Sequence, residues 1–240
     1  MDEHAAVRQL QDILIGTEGV EDFLDGLAGL AAATLSDMAG TAVECAVTLK
    51  HQEQTINVAG NSPRARQLDQ LQKHADDGPC PRALQTMEPQ LLHDARTDAR
   101  WPDYRKQLLE HAVNTTLAFP LNIGDDAGAA LNFFGPEPRT FTPELVRKAT
   151  AFGELASSAL HLSARIGAAQ TRARNLEVAM RSRTAIDIAC GVIMAQNGCS
   201  QKEAVGILTK VSSNRNHKLR DVAAELVTKL SGTDVQTHFD

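Results

Sequence analysis

The chain has 240 residues, enough for one large or two modest domains, and its 42% hydrophobic content is typical of a globular protein. Because it starts with acidic residues and has no apolar run near the length of a membrane span, we expect neither a signal peptide nor a transmembrane helix, and hence a cytoplasmic protein. Residues 165–220 hold ten basic and three acidic side chains, whereas residues 1–164 hold thirteen basic and twenty-three acidic ones. Net charges of +7 and −10 on the two parts favour a polyanion-binding segment attached to a regulatory body. From the charge alone, a solvated helical surface is the alternative interpretation.

Helix and strand patterns alternate along the acidic part of the chain. Apolar residues spaced three and four apart predict helix over residues 5–36, with a break near Gly16–Gly19. Further elements are predicted in chain order: strands at 41–49 and 54–59, helices from Ser62 and at 82–86, a strand at 90–93, a polar loop at 94–104 and a helix at 105–112. Strands at 116–123 and 127–134 predict a hairpin, and Thr142 caps a closing helix. This order predicts an α+β domain with an antiparallel sheet flanked by helices.

A heptad pattern begins near the end of this domain. Apolar or small residues recur at alternating spacings of four and three, at Leu155, Ala159, Leu162, Ile166, Ala169, Ala173, Leu176 and Met180. The unbroken repeat favours a parallel coiled coil between two copies of the chain, and therefore a homodimer. A long helix packed on its own domain is the alternative. The alanines in the seam predict a weak, adjustable contact, which a switch would use.

Three short amphipathic helices are predicted after the heptad. The first ends at Asn197-Gly198, and Ser200 with Glu203 forms a capping box for the second. The second is predicted to bury Ala204, Ile207, Leu208 and Val211. So small an all-helical unit is suited to presenting side chains to a nucleic acid rather than to catalysis.

The four cysteines match no metal-site motif, and a redox-sensing role is left open only for Cys80, which would have to be exposed. Cys45, Cys80, Cys190 and Cys199 show neither a Cys-x-x-Cys pair nor histidines at zinc-ligand spacing. We therefore expect reduced thiols that pack in the core, with no metal and no cofactor. The sequence also has no Gly-rich phosphate loop, so we expect that the protein is not an enzyme.

Three runs in the acidic part resemble a GAF domain, in particular the GAF domains that precede ANTAR output domains in actinobacterial regulators. They are DGPCPRAL at 77–84, HDARTDARWPDY at 93–104 and the hairpin sequence AFPLNIGDDAGAALNFFGPEP. The resemblance covers most of residues 10–165 and implies a sensor for an unidentified small-molecule effector. The candidate pocket residues are Cys80, Trp101, Tyr104, Phe119 and Phe133. The aromatic side chains among them also fit a plain core.

The basic part is similar to the ANTAR family, whose members are RNA-binding antitermination regulators. The similarity rests on MRSR at 180–183, I-x-x-A-x-G-V-I-M at 186–194 and NHKLRDVA at 216–223. Cys190 departs from the family, which often has lysine or another polar residue there. The resemblance implies RNA contacts by Arg181, Arg183, Lys202, Asn214, Arg215, Asn216, Lys218 and Arg220. It also implies a dimer that grips tandem small-loop hairpins in nascent transcripts and prevents terminator formation.

We therefore expect a GAF-like sensor domain at 1–164, a coiled-coil linker helix at 155–180 that overlaps both domains, and an all-α, three-helix ANTAR domain at 176–232. Two other functions stay open. One is a DNA-binding helix-turn-helix regulator, since three helices on a dimeric sensor would also suit that role. The other is a GAF-type reductase of free methionine sulfoxide, which requires Cys45 and Cys80 to meet as nucleophile and resolving partner.

Overall fold

The computed structural model describes residues 3–17, 19–51, 54–72, 78–124 and 127–231. Contacts divide the chain into two compact units, Met1–Gly167 and Ala168–Asp240. The first contains α1 (Glu3–Gly16), α2 (Val20–Ala39), β1 (Glu44–His51), β2 (Gln54–Gly60), α3 (Pro63–Leu71), α4 (Pro79–Thr86), β3 (Gln90–Leu92), α5 (Pro102–Glu110), β4 (Thr115–Asn122) and β5 (Ala127–Gly135). Helix α6 (Pro143–Asn197) begins in this unit and ends in the second, which also contains α7 (Gln201–Arg215) and α8 (Leu219–Ser231).

The five strands form one sheet in the order β2-β1-β5-β4-β3, and every neighbouring pair is antiparallel. The predicted hairpin is present as β4 and β5, which pair from Thr115–Gly135 to Asn122–Gly128. In the register of the sheet, Asn132 on β5 lies between Ala46 on β1 and Ala118 on β4. The prediction of an α+β domain with an antiparallel sheet flanked by helices is therefore confirmed.

One face of the sheet packs against α1, α2 and the first half of α6. Because side chains alternate along a strand, this face carries the odd-numbered residues of β1, β4 and β5, among them Val47, Phe119 and Phe133. Helix α6 meets them with a stripe spaced three and four apart: Leu145, Ala149, Phe152, Ala156 and Leu160. This face holds the larger apolar core of the unit.

The opposite face of the sheet is covered by α3, α4 and α5. Leu68 and Tyr104 pack there with Ala46 and Phe134. Beside them, Cys80 and Ala83 of α4 lie on Ala118 and Ala130. These small residues let α4 approach the strands closely.

Helix starts in the first unit follow the predicted capping signals, with one shift. Ser62 Oγ accepts a hydrogen bond of 2.9 Å from the Ala65 amide, and Thr142 Oγ1 accepts one of 3.2 Å from the Leu145 amide. The loop predicted over 94–104 ends earlier, because α5 begins at Pro102. Just before it, Trp101 has a left-handed backbone with φ of 50° and a buried side chain.

The second unit is a small all-α core. The end of α6, α7 and α8 bury Ala189, Ile193, Leu208 and Val222 together. The predicted capping box is present: the Ser200 amide donates to Glu203 Oε2 over 2.9 Å, and Ser200 Oγ caps the Glu203 amide. The prediction that Ile207 is buried is wrong, since its side chain is 41% exposed. Of the described helices, none is long and apolar enough to cross a membrane.

Candidate functional site

The candidate RNA-contacting residues all lie on the surface of the second unit. Eight side chains share this exposure: Arg181, Arg183, Lys202, Asn214, Arg215, Asn216, Lys218 and Arg220. Their positions follow from the helices, because the buried stripes of α6, α7 and α8 face one another and leave the opposite surfaces to solvent. All eight are therefore available to a polyanion.

Most of the arginines make ion pairs that a phosphate could replace. Arg181 lies 2.6 Å from Glu177, Arg183 lies 3.8 Å from Asp187, and Arg220 lies 3.3 Å from Asp221. Exposed pairs of this kind contribute at most about 1 kcal/mol, so exchanging a carboxylate for a phosphate costs little. Lys202 and Lys218 form no ion pair with any described residue.

The turn between α7 and α8 concentrates five of the eight candidates. Asn214 and Arg215 end α7 and Asn216 caps it, whereas Lys218 lies just before α8 and Arg220 is in its first turn. Arg215 also bridges the two helices, since its guanidinium lies 3.3 Å from Glu225 on α8. The first amides of a helix attract anions, so Lys218 and Arg220 stand where phosphate binding is favoured.

Asn216 also has a structural role that the sequence pattern did not separate from RNA contact. It caps α7 in the left-handed conformation, with φ of 53°, and its amide donates to Ser213 O over 3.2 Å. Asparagine tolerates this conformation better than most residues. The backbone alone therefore accounts for an asparagine at this position.

The predicted dimer seam is covered at its start and open along its length. Leu155 and Ala159 are half-buried and pack against the apolar core of the first unit. Beyond them, Leu162 is 48% exposed, Ile166 40% and Leu176 62%. Ala169 and Ala173 are exposed and Met180 is half-buried. The alternative of a helix packed on its own domain thus describes the first two seam positions but not the exposed ones.

The candidate pocket residues of the first unit do not line one pocket. Phe119 and Phe133 lie on the sheet face that packs against α2 and α6. Trp101 and Tyr104 lie on the opposite face, where Cys80 of α4 also packs on the sheet. The sheet separates the two groups, so the predicted set of five is wrong as a single pocket. The Arg100 guanidinium lies 4.6 Å from the centroid of the Trp101 ring and covers it.

A buried polar cluster occupies the second face instead, and the sequence analysis missed it. Thr48 Oγ1 donates to Asp69 Oδ2 over 2.8 Å, and Asn132 Nδ2 donates to Asp69 Oδ1 over 2.6 Å. All three side chains are at most 3% exposed. The available signal was an asparagine within the apolar run of β5 and an aspartate next to the inward-facing Leu68 of α3.

Three buried polar atoms beside this cluster have no hydrogen-bond partner among the described residues: Asn132 Oδ1, the Tyr104 hydroxyl and Thr116 Oγ1. Such groups cost about 1–3 kcal/mol each when they stay unpaired. Burial, with Asp69 and Cys80 nearby, raises the pKa of Tyr104 well above its usual value. The neighbouring Thr116 side chain opposes that rise. The phenol therefore keeps its proton and can donate it.

The cysteines of the first unit are poorly placed for thiol chemistry. Cys45 lies in the core on the first face of the sheet, whereas Cys80 lies on the second. Burial raises the pKa of Cys80 to about 12 and raises that of Cys45 as well, with Asp69 adding to both shifts. Neither thiol is ionised near neutral pH, and the sheet separates them. A nucleophile and resolving partner are not brought together here.

Comparison with known protein families gives two matches. A GAF domain model matches residues 21–161, and an ANTAR domain model matches residues 174–227. The fold and the exposed basic unit therefore define a regulatory protein with a sensor module and an RNA-binding antitermination module. The chain belongs to the GAF domain family, and it carries an ANTAR domain after the GAF domain.

Solved structures with a similar fold include proteins of diverse kinds. The free methionine-R-sulfoxide reductase of Neisseria meningitidis has 14% identity and a TM-score of 0.49, over 70% of this chain and 91% of that one. A phycoerythrobilin-bound GAF domain from a cyanobacterial phytochrome has 13% identity and a TM-score of 0.47, over 68% and 96%. The GAF domain of an Acinetobacter phosphoenolpyruvate-protein phosphotransferase has 16% identity and a TM-score of 0.46, over 70% and 99%. Similarities this low say nothing about what this chain binds. No curated protein sequence matches the chain.

Proposed function

We propose that the protein is a signal-responsive transcription antiterminator of the actinobacterial GAF-ANTAR type. In this proposal a homodimer grips two tandem small-loop RNA hairpins and prevents the terminator from forming. The observation that carries it is the exposure of all eight candidate RNA contacts on the ANTAR domain. The proposed parts are a sensor at 1–164, a linker helix at 155–180 and an RNA-binding domain at 176–232.

RNA contact in this proposal centres on the α7–α8 turn. Phosphates meet Lys218 and Arg220 at the first turn of α8, where the helix dipole adds to the side-chain charge. The sequence has no Phe, Trp or Tyr between Phe152 and Phe239. Stacking on unpaired loop bases therefore relies on guanidinium planes such as those of Arg181 and Arg183.

The dimer in this proposal forms along α6. The exposed seam residues Leu162, Ile166 and Leu176 repeat at heptad spacing, which places them on one stripe that a second copy of the helix would cover. Alanines at 169 and 173 limit the area buried between the copies. We expect a seam that the sensor can tighten or loosen.

The sensor in this proposal acts on α6 through the β4–β5 hairpin. Ser157 Oγ accepts a hydrogen bond of 3.2 Å from the Asn122 amide, and His161 Nδ1 lies 3.1 Å from the Ile123 carbonyl oxygen. Both contacts join the end of β4 to α6 immediately before the exposed seam. A change in the hairpin is therefore transmitted to the helix where the seam starts.

Binding of the purified protein to a tandem small-loop RNA hairpin and to duplex DNA of equal charge, across a salt series, tests the proposed function. Base-reading RNA recognition predicts RNA binding that survives salt, while DNA binding collapses. Lys218→Ala should weaken RNA binding, whereas Lys229→Ala serves as the matched control, because Lys229 lies at the far end of α8 and pairs with Glu225 over 2.5 Å. Equal, salt-sensitive binding to both nucleic acids would favour a nonspecific basic surface or a DNA-binding regulator instead.

A further inference from the structure

Helix α6 has no cover from the described chain over about three of its turns. Every side chain from Ala168 to Ala179 is exposed, on all sides of the helix. The stretch nevertheless carries apolar seam residues, among them Leu176, which is 62% exposed. An isolated helix of this length is only marginally stable in water, so a partner along the seam would stabilise it.

The charged residues of this stretch are distributed unevenly. Residues 168–184 contain four arginines, Arg172, Arg174, Arg181 and Arg183, and a single acid, Glu177. Any partner helix that carries the same sequence therefore offers one carboxylate to an arginine of the first helix. The position of that carboxylate relative to the seam determines which arginine it can reach.

The heptad positions of the charges follow from the seam. Ala169 and Leu176 occupy position d and Ala173 occupies position a, so Arg172 lies at position g and Glu177 at position e. Positions e and g flank the seam, and in a parallel pair each g residue faces the e residue of the following heptad on the partner. Arg172 therefore faces Glu177 of the partner subunit, and two-fold symmetry produces this pair twice.

Neither side chain has a contact that the pair would have to break. Arg172 is exposed, its Nε donates to the Ala168 carbonyl over 3.2 Å, and it forms no ion pair with a described residue. Glu177 accepts a hydrogen bond of 2.6 Å from Arg181 at Oε1, so Oε2 can accept a second one. Glu177 would then join Arg181 of its own helix to Arg172 of the partner subunit, and such charge networks contribute more than isolated exposed pairs.

The same charges disfavour the reversed arrangement of the two helices. In an antiparallel pair, position g faces position g and position e faces position e. Arg165 and Arg172 both occupy position g, so reversal places arginines beside arginines, which repel one another. Charge complementarity along α6 therefore favours a second copy of the chain in the parallel orientation.

We propose that Arg172 and Glu177 determine how two copies of the chain pair along α6: parallel and in register, with Arg172 of each copy bonded to Glu177 of the other. The proposal rests on the homodimer of the proposed function and adds the residues that set its orientation. It also couples an RNA contact to the dimer. Glu177 holds the Arg181 guanidinium while the partner's Arg172 holds Glu177, so Arg181 is fixed in place only when two copies are paired.

Sedimentation equilibrium of the full-length protein at low salt, without RNA, tests the pair by charge reversal. Arg172→Glu loses two ion pairs and creates two repulsive ones, so it should raise the dimer dissociation constant by roughly tenfold. The double change Arg172→Glu with Glu177→Arg exchanges the charges and should return the constant to within about twofold of the wild-type value. Arg174→Glu is the matched control, because the same charge change falls at position b, away from the seam, and should leave the constant unchanged.

Cysteine cross-linking of the full-length protein tests the orientation. In a Cys199→Ser background, which removes the half-exposed native thiol, Ala173→Cys should form a disulfide between two copies under oxidised glutathione, because position a faces position a only in a parallel pair. Asn175→Cys, at position c, is the matched control and should cross-link much less.

Three results would each overturn the proposal: an unchanged dissociation constant in Arg172→Glu, a double variant as weak as Arg172→Glu, or equal cross-linking of Ala173→Cys and Asn175→Cys. If the wild-type protein dimerises while one of these results is found, the homodimer stands and only the proposed pairing fails. A wild-type protein that stays monomeric would overturn both. Because RNA is absent, none of these results depends on whether the ANTAR domain binds RNA.

Discussion

Helix α6 packs on β4 at Gly153, and the effect of Gly153→Ala on the free energy of unfolding tests that packing. A Cβ added at Gly153 would lie 2.8 Å from Cζ of Phe119, with two further ring atoms nearer still. Phe119 is only 7% exposed and is enclosed by the core of the first face, so the ring has little room to move. Overpacking of this kind costs about 1–3 kcal/mol, against a gain of about 1 kcal/mol in helix propensity. We expect Gly153→Ala to lower the free energy of unfolding by up to about 2 kcal/mol.

Gly167 in the same helix provides the matched control. A Cβ added there would have its nearest neighbour, Val20 Cγ2, at 3.5 Å, which is ordinary contact. Gly167→Ala should therefore raise the free energy of unfolding by about 0.5–1 kcal/mol through helix propensity alone. Urea unfolding followed by circular dichroism measures both changes. If both substitutions stabilise the protein to the same extent, α6 does not pack on Phe119 as described.

Three further predictions concern single side chains. Lys218→Ala should weaken binding to every RNA sequence and, in a salt titration, reduce the slope of log affinity against log salt concentration by about 1. An unchanged slope would mean that Lys218 contacts no phosphate. In urea unfolding, Thr115→Val should lower the free energy of unfolding by about 1–2 kcal/mol, because it removes the hydrogen bond to the Leu92 carbonyl. Thr116→Val removes an unpaired hydroxyl and should be neutral or stabilising. Equal losses of stability would show that the Thr116 hydroxyl is paired. Burial raises the pKa of Cys80 to about 12, so the unreactive thiol form dominates at pH 8. Alkylation at pH 8, followed by mass spectrometry, should therefore modify the half-exposed Cys199 well before Cys80. Faster modification of Cys80 would contradict its burial.

The sequence predicts the elements of this protein well where local chemistry decides them. Ser62 and Thr142 cap their helices as their neighbours require, and the β4–β5 hairpin follows from two apolar runs around a polar turn. The capping box at Ser200 is another local signal, since both of its partners lie within four consecutive residues. Such local sequence patterns can be recognised without knowledge of the tertiary contacts.

The buried polar cluster around Asp69 depends on contacts between distant parts of the chain, and the sequence does not show them. Asp69 and Asn132 are 63 residues apart and meet only because α3 packs across the sheet. Phe119 lies on β4 and Trp101 lies just before α5, and only the tertiary packing shows that they are on opposite sides of the sheet. An aromatic residue type therefore indicates burial but not the side on which it is buried.

The basic second unit could be predicted from the sequence only in part. The exposure of Lys218 and Arg220 follows from helix periodicity, and it could be predicted. Ile207 was expected inside because it lies at amphipathic spacing from Ala204 and Val211, but α7 fully buries only Ala204 and Leu208. This stripe is one residue wide, so Ile207 turns toward solvent.

Comparing tandem-hairpin with single-hairpin affinity in Ile166→Glu tests whether two copies of the chain grip two RNA hairpins together. Val178→Glu is the matched control, since Val178 is 51% exposed on the same helix but lies outside the seam. We expect Ile166→Glu to lower tandem-hairpin affinity by at least about tenfold, because linked binding is lost, and to leave single-hairpin affinity unchanged. The control should change neither. Equal losses for both RNAs in Ile166→Glu, or no loss for either, would show that the seam does not couple two copies of the chain on the RNA.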